Sequence, residues 1–436
     1  MNPTPRIAPE RIRAAAEARA GFAAGLLDAL AACSAEGPGI TRMAYGPGEQ
    51  AGHAVMREAA AEIGLETETD AAGNLYATLA GRDRSLPRWI SGSHVDSVPN
   101  GGNFDGAAGA VAAFTALAAL KNIGHVPPCD LTAVVIRAEE ASSWFTGHTG
   151  GHLGSRAALG LLWPDETATA IHIPTGRDLA ACIDQAGFDS ARVIAGPPHL
   201  TADDVAGYVE LHIEQGPVLI EADLPVGIVT AIRGTLRARE ARCLGAYTHS
   251  GAVPQDMRRD ALLATVALIH ALDQACADLR ASGEDVVFAV GKLHTDPAVE
   301  SLSKVPGEAR FTLDIRSQSG AVLARLRARL DTLAAEIGRR RNVTFELGRI
   351  ALAAPVAMQA SLRVGLVGCA EALRIPAIEL PCGAGHDAAD FARAGIPACM
   401  IFVRNSGESH NPDERMDLAD FAHGTALLTH FLATIG

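Results

Sequence analysis

The chain has 436 residues, of which 48% are hydrophobic and 4% aromatic, and its formal net charge at pH 7 is -13. This length exceeds one ordinary hydrophobic core and predicts two domains of unequal size. The acidic balance argues against nucleic acid or an anionic membrane surface as a partner, because both require a basic patch, and it favours a small-molecule partner.

The eight cysteines lie apart, without a Cys-x-x-Cys pair, so the sequence predicts neither a zinc ribbon nor a thioredoxin-type site. We expect them to be small buried residues in a reducing compartment. The first residues lack the order of a signal peptide, and no window approaches about 18 consecutive uncharged apolar residues. The sequence therefore predicts a cytoplasmic protein that does not bind a membrane.

The first part of the chain alternates helical and strand patterns. The pattern predicts helices over 8–34, 49–63 and 107–120 and strands over 65–81, 88–98 and 129–140. This order of strand, loop, helix and strand is typical of an α/β sheet, in which functional groups collect at the carboxyl ends of the strands.

A second pattern occupies residues 220–333 and predicts a compact α+β module. Its predicted strands cover 225–240 and 309–317, and its predicted helices cover 260–280 and 321–338. A helix over 361–375 and a strand over 397–403 then resume the α/β pattern. The sequence therefore predicts a discontinuous domain of residues 1–219 and 334–436, into which the module 220–333 is inserted.

The segment 88–98 carries a histidine and an aspartate two positions apart, His94 and Asp96. Side chains two residues apart on a strand point to the same face, so Asp96 can orient the His94 imidazole for metal binding. The alternative is a strand-end histidine beside a turn aspartate. Asp105 follows in a glycine-rich stretch, where it is either a ligand or a turn residue.

Four further candidates follow predicted strands. Glu139 and Glu140 end one strand, and because neighbours on a strand face opposite sides, one can bind a metal while the other holds a water. A solvated surface pair is the alternative. His212 lies in an alternating run before a Gly-Pro turn and could equally be a core residue. His410 lies in a polar loop, where a surface role is the alternative.

The joint position of these residues favours a metal site over the separate alternatives. Five of them fall at or just beyond the ends of strands in one predicted α/β domain, namely His94, Asp105, Glu140, His212 and His410. Imidazole and carboxylate donors without a thiol suit a pair of borderline divalent metals such as Zn, Mn, Co or Ni.

Six motifs occur in order along the chain: "GSHVDSVPNGGNFDGAAG", "AEE", "ELHIEQGPVL", "GAYTHSGAVPQDMRRDAL", "GAGHDA" and "SHNPDER". Together they resemble the N-carbamoyl-L-amino-acid hydrolase, β-ureidopropionase and allantoate amidohydrolase branch of the M20 metallopeptidase-like amidases. The match runs from residue 39 to the end of the chain. The resemblance implies a zinc-peptidase-like α/β catalytic domain with a mixed sheet flanked by helices. It also implies an inserted, smaller α+β domain that forms a homodimer and acts as a lid.

The resemblance also implies a role for each candidate ligand. Two divalent metal ions per subunit would be held by His94, Asp105, Glu140, His212 and His410, with Asp105 as the bridge. Asp96 would orient His94. Glu139 would be the general base that takes a proton from the metal-bridging water.

For the substrate, the resemblance implies contacts from both domains. Arg316 would bind a carboxylate, Gln215 would contact the ureido group, and His249 would reach the site of the partner subunit to stabilise the oxyanion. Without the resemblance, Arg316 would be interpreted as a surface cation at a strand edge. Ser303 is also assigned to substrate binding. Backbone N–H groups would be supplied by the turn formed by Gly383, Ala384 and Gly385.

Three departures from the family pattern concern the substrate. Ser143 and Trp144 replace the usual arginine and phenylalanine after the paired glutamates, Ser303 replaces an asparagine, and Cys382 replaces a common serine. They limit what the resemblance says about the substrate more than what it says about hydrolysis.

Two histidines close behind the glutamates, His148 and His152, are four residues apart. This spacing would allow a third metal, but the glycine-rich pattern around them favours plain loop histidines. His386 of the "GAGHDA" motif is interpreted as a structural residue that supports the ligands.

The sequence thus predicts a dinuclear metal-dependent hydrolase of linear C–N bonds that removes the N-carbamoyl group of an amino acid. One alternative is an N-acyl-amino-acid amidase or dipeptidase of the same fold. Another is a relative that binds a ligand without catalysis. The side chain of the substrate, the native metal and the pathway it serves, whether hydantoin, pyrimidine or purine breakdown, do not follow from the sequence.

Overall fold

The computed structural model describes residues 7–35, 37–146 and 151–435, and the chain divides into two compact units. The first unit comprises Met1–Thr230 and Met358–Gly436, and the second comprises Ala231–Ala357. The second unit is therefore an insertion in the first, and both of its limits lie later in the chain than the predicted 220 and 333.

The part of the first unit before the insertion alternates helices and strands. Its helices are α1 (Pro9–Glu17), α2 (Ala20–Ala32), α3 (Pro47–Ile63), α4 (Ala107–Asn122), α5 (Ala141–Trp144), α6 (Leu153–Ala158), α7 (Glu166–Thr169), α8 (Leu179–Gln185), α9 (Ser190–Ala195) and α10 (Val218–Glu221). Its strands are β1 (Glu66–Thr69), β2 (Leu75–Leu79), β3 (Arg88–His94), β4 (Leu131–Ile136), β5 (Phe145–Thr146), β6 (Ile171–His172), β7 (Val205–Ile213) and β8 (Val226–Ile232). The helix predicted over 8–34 is thus two helices, with the break at residues 18–19.

The second unit follows directly and contains mainly strands and two long helices. Its strands are β9 (Gly234–Leu244), β10 (Thr248–His249), β11 (Val287–Ala289), β12 (Leu293–His294), β13 (Lys304–Val305), β14 (Glu308–Ser317), β15 (Thr344–Glu346) and β16 (Ile350–Ala353). Its long helices are α11 (Ala261–Ala281) and α12 (Gly320–Arg341). The next strand, β17 (Val356–Ala357), lies at the border of the units and pairs with β8. The chain returns to the first unit with α13 (Ala360–Leu373), β18 (Ala377–Cys382), α14 (Asp387–Arg393), β19 (Ala398–Val403), β20 (Asn405–Ser406), β21 (Arg415–Met416) and α15 (Leu418–Thr434).

A nine-stranded mixed sheet forms the centre of the described part of the first unit. Its order is β1-β2-β4-β3-β7-β19-β8-β17, with β18 also paired with β8. The four central strands β4, β3, β7 and β19 are mutually parallel, and β2 and β8 flank them in antiparallel pairing. The predicted α/β fold with a mixed sheet flanked by helices is confirmed, and the carboxyl ends of the four parallel strands share one edge of the sheet.

Helix α4 packs against β3, β4 and β7 and against α15. Every residue from Ala107 to Leu120 is buried, which explains why the sequence of this helix is apolar on nearly all faces. Because α4 begins at Ala107, two residues after Asp105, its burial fixes the loop that carries this aspartate at the edge of the sheet.

The second unit is built around a sheet whose pairings are antiparallel, in the order β11-β14-β9-β15, with β12 paired with β14 and β16 with β9. Helices α11 and α12 pack on this sheet. The run 225–240 was predicted as one strand, but it is divided between β8 and β9, so the alternating pattern passes through the border of the units and conceals it. The short strands β15 and β16, which follow α12, also belong to the second unit.

Helix α11 is long and apolar enough, by length and composition alone, to cross a membrane. It buries Leu268, Leu272 and Cys276 in the hydrophobic core of the second unit. We therefore interpret α11 as a core helix of this unit.

A buried ion pair supports the end of β4. The Glu49 carboxylate on α3 is fully buried and accepts hydrogen bonds from Ala138 N at 2.7 Å, Tyr45 N at 2.7 Å and Arg137 Nη1 at 3.1 Å. Arg137 Nε also donates to the carbonyl of Gly73 at 3.0 Å. These contacts fix the segment that leads from β4 to Glu139 and Glu140.

Replacing Glu49 with alanine should destabilise the first unit by about 3–5 kcal/mol, because the substitution leaves the Arg137 guanidinium buried without its carboxylate. Guanidinium unfolding followed by tryptophan fluorescence measures this change. The control is Glu58→Ala on the solvent-exposed face of the same helix, which should change stability by about 0.5 kcal/mol or less. Equal stability of the two variants would show that the ion pair does not support the strand end.

Candidate metal centre

Four parallel strands of the sheet in the first unit bring the predicted ligands to one edge. His94 is the last residue of β3, and Glu139 and Glu140 follow the end of β4 at Ile136. His212 is the penultimate residue of β7, and His410 lies in the loop after β19. Because parallel strands end on the same side, side chains separated by up to about three hundred residues meet there.

The first group of donor atoms comes from His94, Asp105 and His212, all of which are buried. Asp105 Oδ1 lies 3.1 Å from His212 Nε2 and 3.6 Å from His94 Nε2. The second group comes from Asp105, Glu140 and His410. His410 Nε2 lies 3.2 Å from Asp105 Oδ2 and 3.0 Å from Glu140 Oε1. Asp105 thus offers one oxygen to each group, which is the geometry of a bridging carboxylate.

The orientation of the His94 ring is set by Asp96. His94 Nδ1 lies 3.3 Å from Asp96 Oδ1 and 3.1 Å from the Asp96 carbonyl oxygen, both acceptors, so the ring proton belongs on Nδ1. The lone pair is then on Nε2, which is buried and makes no hydrogen bond within the described residues. Asp96 makes this contact from beyond the end of β3, so the strand alternation on which its predicted position rested does not apply.

His212 has the same arrangement. Its Nδ1 lies 2.9 Å from the carbonyl oxygen of Ile213, which places the ring proton on Nδ1. Its Nε2 accepts a hydrogen bond from Gly106 N at 3.1 Å and faces Asp105. Gly106 has a left-handed φ of 67°, and a Cβ there would lie 2.3 Å from the His94 ring. Glycine is therefore required for the loop to approach both histidines.

The structure corrects the sequence argument for the two glutamates. They are not neighbours on a strand: they lie in the turn after β4, which Ala138 enters with a φ of 51°. The backbone N–H groups of Glu139 and Glu140 donate to the two carboxylate oxygens of Asp96, at 3.2 and 3.1 Å. Asp96 therefore supports the turn with the paired glutamates as well as His94.

The Glu139 carboxylate lies next to His94, a member of the first group of donors. Its Oε2 is 3.7 Å from His94 Nε2, and its side chain is 7% exposed. Burial raises the pKa of Glu139 well above its ordinary value, against the opposing effect of nearby imidazoles such as His94. A buried carboxyl of raised pKa beside the donor groups is a stronger proton acceptor than an exposed one.

The charges at the site compensate one another. Although burial raises the pKa of Asp105, the imidazoles of His212 and His410 lower it to well below its ordinary value. Hydrogen bonds to Asp105 and Glu140 raise the pKa of His410 to about 11. Among the described residues, His94 Nε2 has no hydrogen-bond partner, and the two donor groups share the Asp105 carboxylate. These features fit a pair of divalent cations, which would bind the imidazole nitrogens in place of protons.

A family model described as Peptidase family M20/M25/M40 matches residues 90–434 of the chain. The chain belongs to this family.

The relatives of this chain include amidohydrolases. An N-carbamoyl-L-amino acid amidohydrolase of Geobacillus stearothermophilus is 34% identical over 90% of this chain and 92% of its own. An allantoate amidohydrolase of Escherichia coli is 33% identical, with the same coverage. A solved structure of a hydantoinase/carbamoylase family amidase from Burkholderia multivorans has a TM-score of 0.86 and 26% identity, covering 95% of this chain and 97% of that one. The chain is thus a hydrolase of the M20 family.

The substrate residues predicted for this M20 hydrolase are divided between the units. In the first unit, Gln215 Nε2 donates to Asp105 Oδ2 at 2.7 Å, and the turn 383–385 precedes His386 and α14. The ring of His386 packs on that of His212, with centroids 4.3 Å apart. In the second unit, β10 ends at His249 and pairs with β13. Ser303 immediately precedes β13. Arg316 on β14 donates to Asp314 Oδ2 at 2.7 Å.

The departures from the family pattern have different surroundings. Trp144 is buried in α5, and its indole N–H donates to the carbonyl oxygen of Ser97 at 2.8 Å, so this side chain ties the glutamate turn to the loop after β3. Ser143 N donates to the carbonyl oxygen of Glu140. Cys382 Sγ donates to the carbonyl oxygen of Ala384 at 3.2 Å, within the turn 383–385.

Sequence reasoning missed two residues that hold the Asp105 loop. Glu414 Oε1 accepts from the backbone N–H groups of Phe104 and Asp105, at 2.8 and 3.3 Å. Ser409 Oγ donates to Asp105 Oδ2 at 2.7 Å and lies 3.0 Å from Glu414 Oε2. Both belong to the "SHNPDER" motif, which is the sequence feature that could have indicated them.

Of the two histidines predicted to lie in a plain loop, His148 and His152, the structure describes only His152. His148 lies outside the described residues. His152 is not in a plain loop, because α6 starts at the next residue, and its imidazole contacts Glu139.

We expect the purified chain to bind two divalent ions, because two donor groups share Asp105. His212→Ala should lose at least one ion, since it removes a donor of the first group. His199→Ala is the control, because that imidazole lies 3.8 Å from Glu68, outside the donor groups. Metal analysis after dialysis against metal-free buffer measures the stoichiometry. Full metal content in His212→Ala would contradict the assignment of the first group.

Proposed function

We propose that the chain is a dinuclear metal-dependent hydrolase that removes the N-carbamoyl group of an amino acid, giving the amino acid, carbon dioxide and ammonia. The observation that carries this proposal is the pair of donor groups that share Asp105 beside the buried carboxyl of Glu139. Relatives named for N-carbamoyl-amino-acid and allantoate hydrolysis, at 30–34% identity, support the ureido group as the substrate class.

His94, Asp105 and His212 would hold one divalent ion, and Asp105, Glu140 and His410 the other. Bound there, the ions would lower the pKa of water and polarise the ureido carbonyl. Borderline metals such as Zn, Mn, Co or Ni suit this mixture of imidazole and carboxylate donors.

Glu139 is proposed as the general base. Its carboxylate would accept a proton from the attacking water and then deliver a proton to the departing nitrogen, so the same side chain serves both halves of the reaction. Its burial supports this role, because burial raises the pKa of Glu139 and so makes its carboxylate a stronger proton acceptor. Asp96 would act indirectly, since it holds both the His94 ring and the backbone of Glu139.

Arg316, Gln215, Ser303 and the turn 383–385 are proposed as the substrate contacts. The guanidinium of Arg316 would pair with a substrate carboxylate. In the structure its Nε and Nη2 donate to Asp314, so the substrate would bind other N–H groups of the guanidinium or displace this contact. Backbone N–H groups of the turn would assist. Gln215, whose Nε2 already donates to Asp105, would direct its side-chain amide towards the ureido group.

The second unit is proposed to mediate a homodimer and to act as a lid, with His249 serving the site of the partner subunit. His249 is exposed, and its Nδ1 accepts from Gly251 N and Ala252 N at 3.0 and 3.2 Å. Because Nδ1 accepts these hydrogen bonds, the ring N–H is at Nε2, where it can donate a hydrogen bond to an oxyanion.

An N-acyl-amino-acid amidase or dipeptidase is the second candidate function. The departures at Ser143, Trp144, Ser303 and Cys382 favour it, because they alter positions near the paired glutamates and among the substrate contacts. The metal groups and Glu139 would serve either amide bond, so the substrate contacts alone separate the two functions.

Glu139→Gln should retain both metal ions and lose about 100- to 10,000-fold in kcat, because an amide cannot accept the proton. Chelation of the metals should abolish turnover of the unmodified chain. Glu58→Gln, on the exposed face of α3, is the control and should keep full activity. Full activity of Glu139→Gln, or of the chelated chain, would exclude this mechanism.

A panel of N-carbamoyl, N-formyl and N-acetyl amino acids, assayed by the released amine, identifies the acyl group. We expect the highest kcat/KM for an N-carbamoyl amino acid. Preference for an N-acetyl amino acid would favour the amidase function instead. Two bound metal ions without turnover of any member would favour a relative that binds its ligand without catalysis.

A further inference from the structure

The proposed function leaves His152 without a role, although its backbone is joined to the glutamate turn. The N–H groups of His152, Leu153 and Gly154 donate to the carbonyl oxygens of Glu139, Ala138 and Arg137, at 2.8, 3.0 and 2.9 Å. His152 itself has a left-handed φ of 49°, a conformation that costs energy for a residue with a Cβ. The chain thus holds this histidine beside Glu139 in a strained conformation.

The imidazole of His152 connects two carboxylates. Its Nε2 lies 3.4 Å from Glu139 Oε1, and its Nδ1 lies 2.7 Å from Asp390 Oδ2 on α14. The other oxygen of Asp390 accepts from Arg393 Nη1 at 2.8 Å. The side chain of His152 is 14% exposed and that of Asp390 is 4% exposed. Asp390 is therefore a buried, ion-paired anchor for the ring.

This arrangement favours the charged imidazolium form of the ring. Although burial lowers the pKa of His152, the carboxylates of Glu139 and Asp390 raise it to about 10. Both ring nitrogens then carry protons and can donate at the same time, one to each carboxylate.

The two oxygens of Glu139 consequently have separate surroundings. Oε1 faces His152 Nε2 at 3.4 Å, whereas Oε2 faces His94 Nε2 at 3.7 Å, on the side of the donor groups. A contact at one oxygen limits the rotation of the carboxylate and keeps the other oxygen directed at the site where water would be activated.

The turn 383–385 leaves space for this ring. A Cβ at Gly385 would lie 3.1 Å from His152 Cε1 and Nε2, closer than most real contacts. A side chain at this position would therefore press on the ring. The absence of a side chain at Gly385 therefore leaves the room that the His152 imidazole occupies.

We propose that His152, anchored by Asp390, is a positioning residue for Glu139: it fixes the general-base carboxylate with Oε2 directed at the metal site. This inference rests on the proposed function only in taking Glu139 as the base. His152 acts through Glu139 and binds no metal in this account.

The kinetic test uses His152→Ala, His152→Gln and Asp390→Asn in the full-length, metal-loaded chain. His152→Ala should lower kcat about 10- to 100-fold, as is typical when a residue that supports a functional group is lost. KM should change less than about threefold and metal content should stay the same, because substrate and ligands are untouched. His152→Gln should recover much of the loss, since its amide can still donate to Glu139, and Asp390→Asn should lose less than His152→Ala.

His199→Ala is the matched control, because it removes another imidazole near a carboxylate of the first unit, and its kcat should stay unchanged. The decisive comparison adds His152→Ala to Glu139→Gln. If His152 acts through Glu139, the second change should cost nothing further. An equal loss of kcat in both backgrounds, a rise in KM alone, or no effect of His152→Ala would each overturn the proposal.

A structural readout separates this proposal from the function itself. In crystals of His152→Ala, the Glu139 carboxylate should occupy several orientations or turn away, whereas in His152→Gln it should keep the single orientation found here. Should His152→Ala fail to fold, His152→Gln and Asp390→Asn carry the same comparison. An unmoved Glu139 in His152→Ala would overturn the positioning role, whatever substrate the chain hydrolyses. If the Glu139 carboxylate does change its orientation in His152→Ala but the unmodified chain hydrolyses none of the substrates, the proposed function is overturned and the positioning role is not.

Discussion

The site depends on one constraint: the carboxyl ends of four parallel strands share a sheet edge, and the acidic side chains collected there are buried. A buried carboxylate is costly unless a cation or several N–H groups compensate it. Asp105 therefore accepts hydrogen bonds from Gln215 and Ser409 and faces the imidazole of His410. Asp96 accepts two backbone N–H groups and also contacts His94. The same distribution of charge makes the edge suitable for divalent cations, which compensate carboxylates more strongly than imidazolium protons do.

The proposed metal ligands and general base are held in place by neighbouring residues that take no part in the reaction. Glu49 and Arg137 fix the end of β4, and Glu414 holds the backbone of the Asp105 loop. Burial of α4 fixes that loop from its other end. A side chain at the edge therefore has a defined position because its backbone is tied to the sheet or to a neighbouring buried carboxylate. Such preorganisation is what a general base and a set of metal ligands require.

The sequence places the five predicted donor residues at or just beyond the ends of strands, and the rule for parallel strands brings such positions to one edge. In the structure these residues form two donor groups that share Asp105. The sequence did not predict the contact of His152 with Glu139 and Asp390, because Asp390 is 238 positions away and no periodic pattern precedes α6. In the structure the second unit starts later than residue 220, within one alternating run that continues from β8 into β9, and ends later than residue 333, because the short strands β15 and β16 follow α12. The sequence also gave no sign of the break between α1 and α2.

Two divalent ions should occupy the donor groups that share Asp105. Anomalous X-ray diffraction from crystals grown with Mn²⁺ tests this occupancy most directly, because it locates each ion independently of activity and substrate. We expect two anomalous peaks, one bound by His94, Asp105 and His212 and the other by Asp105, Glu140 and His410. A single peak, or peaks that do not contact Asp105, would contradict the account.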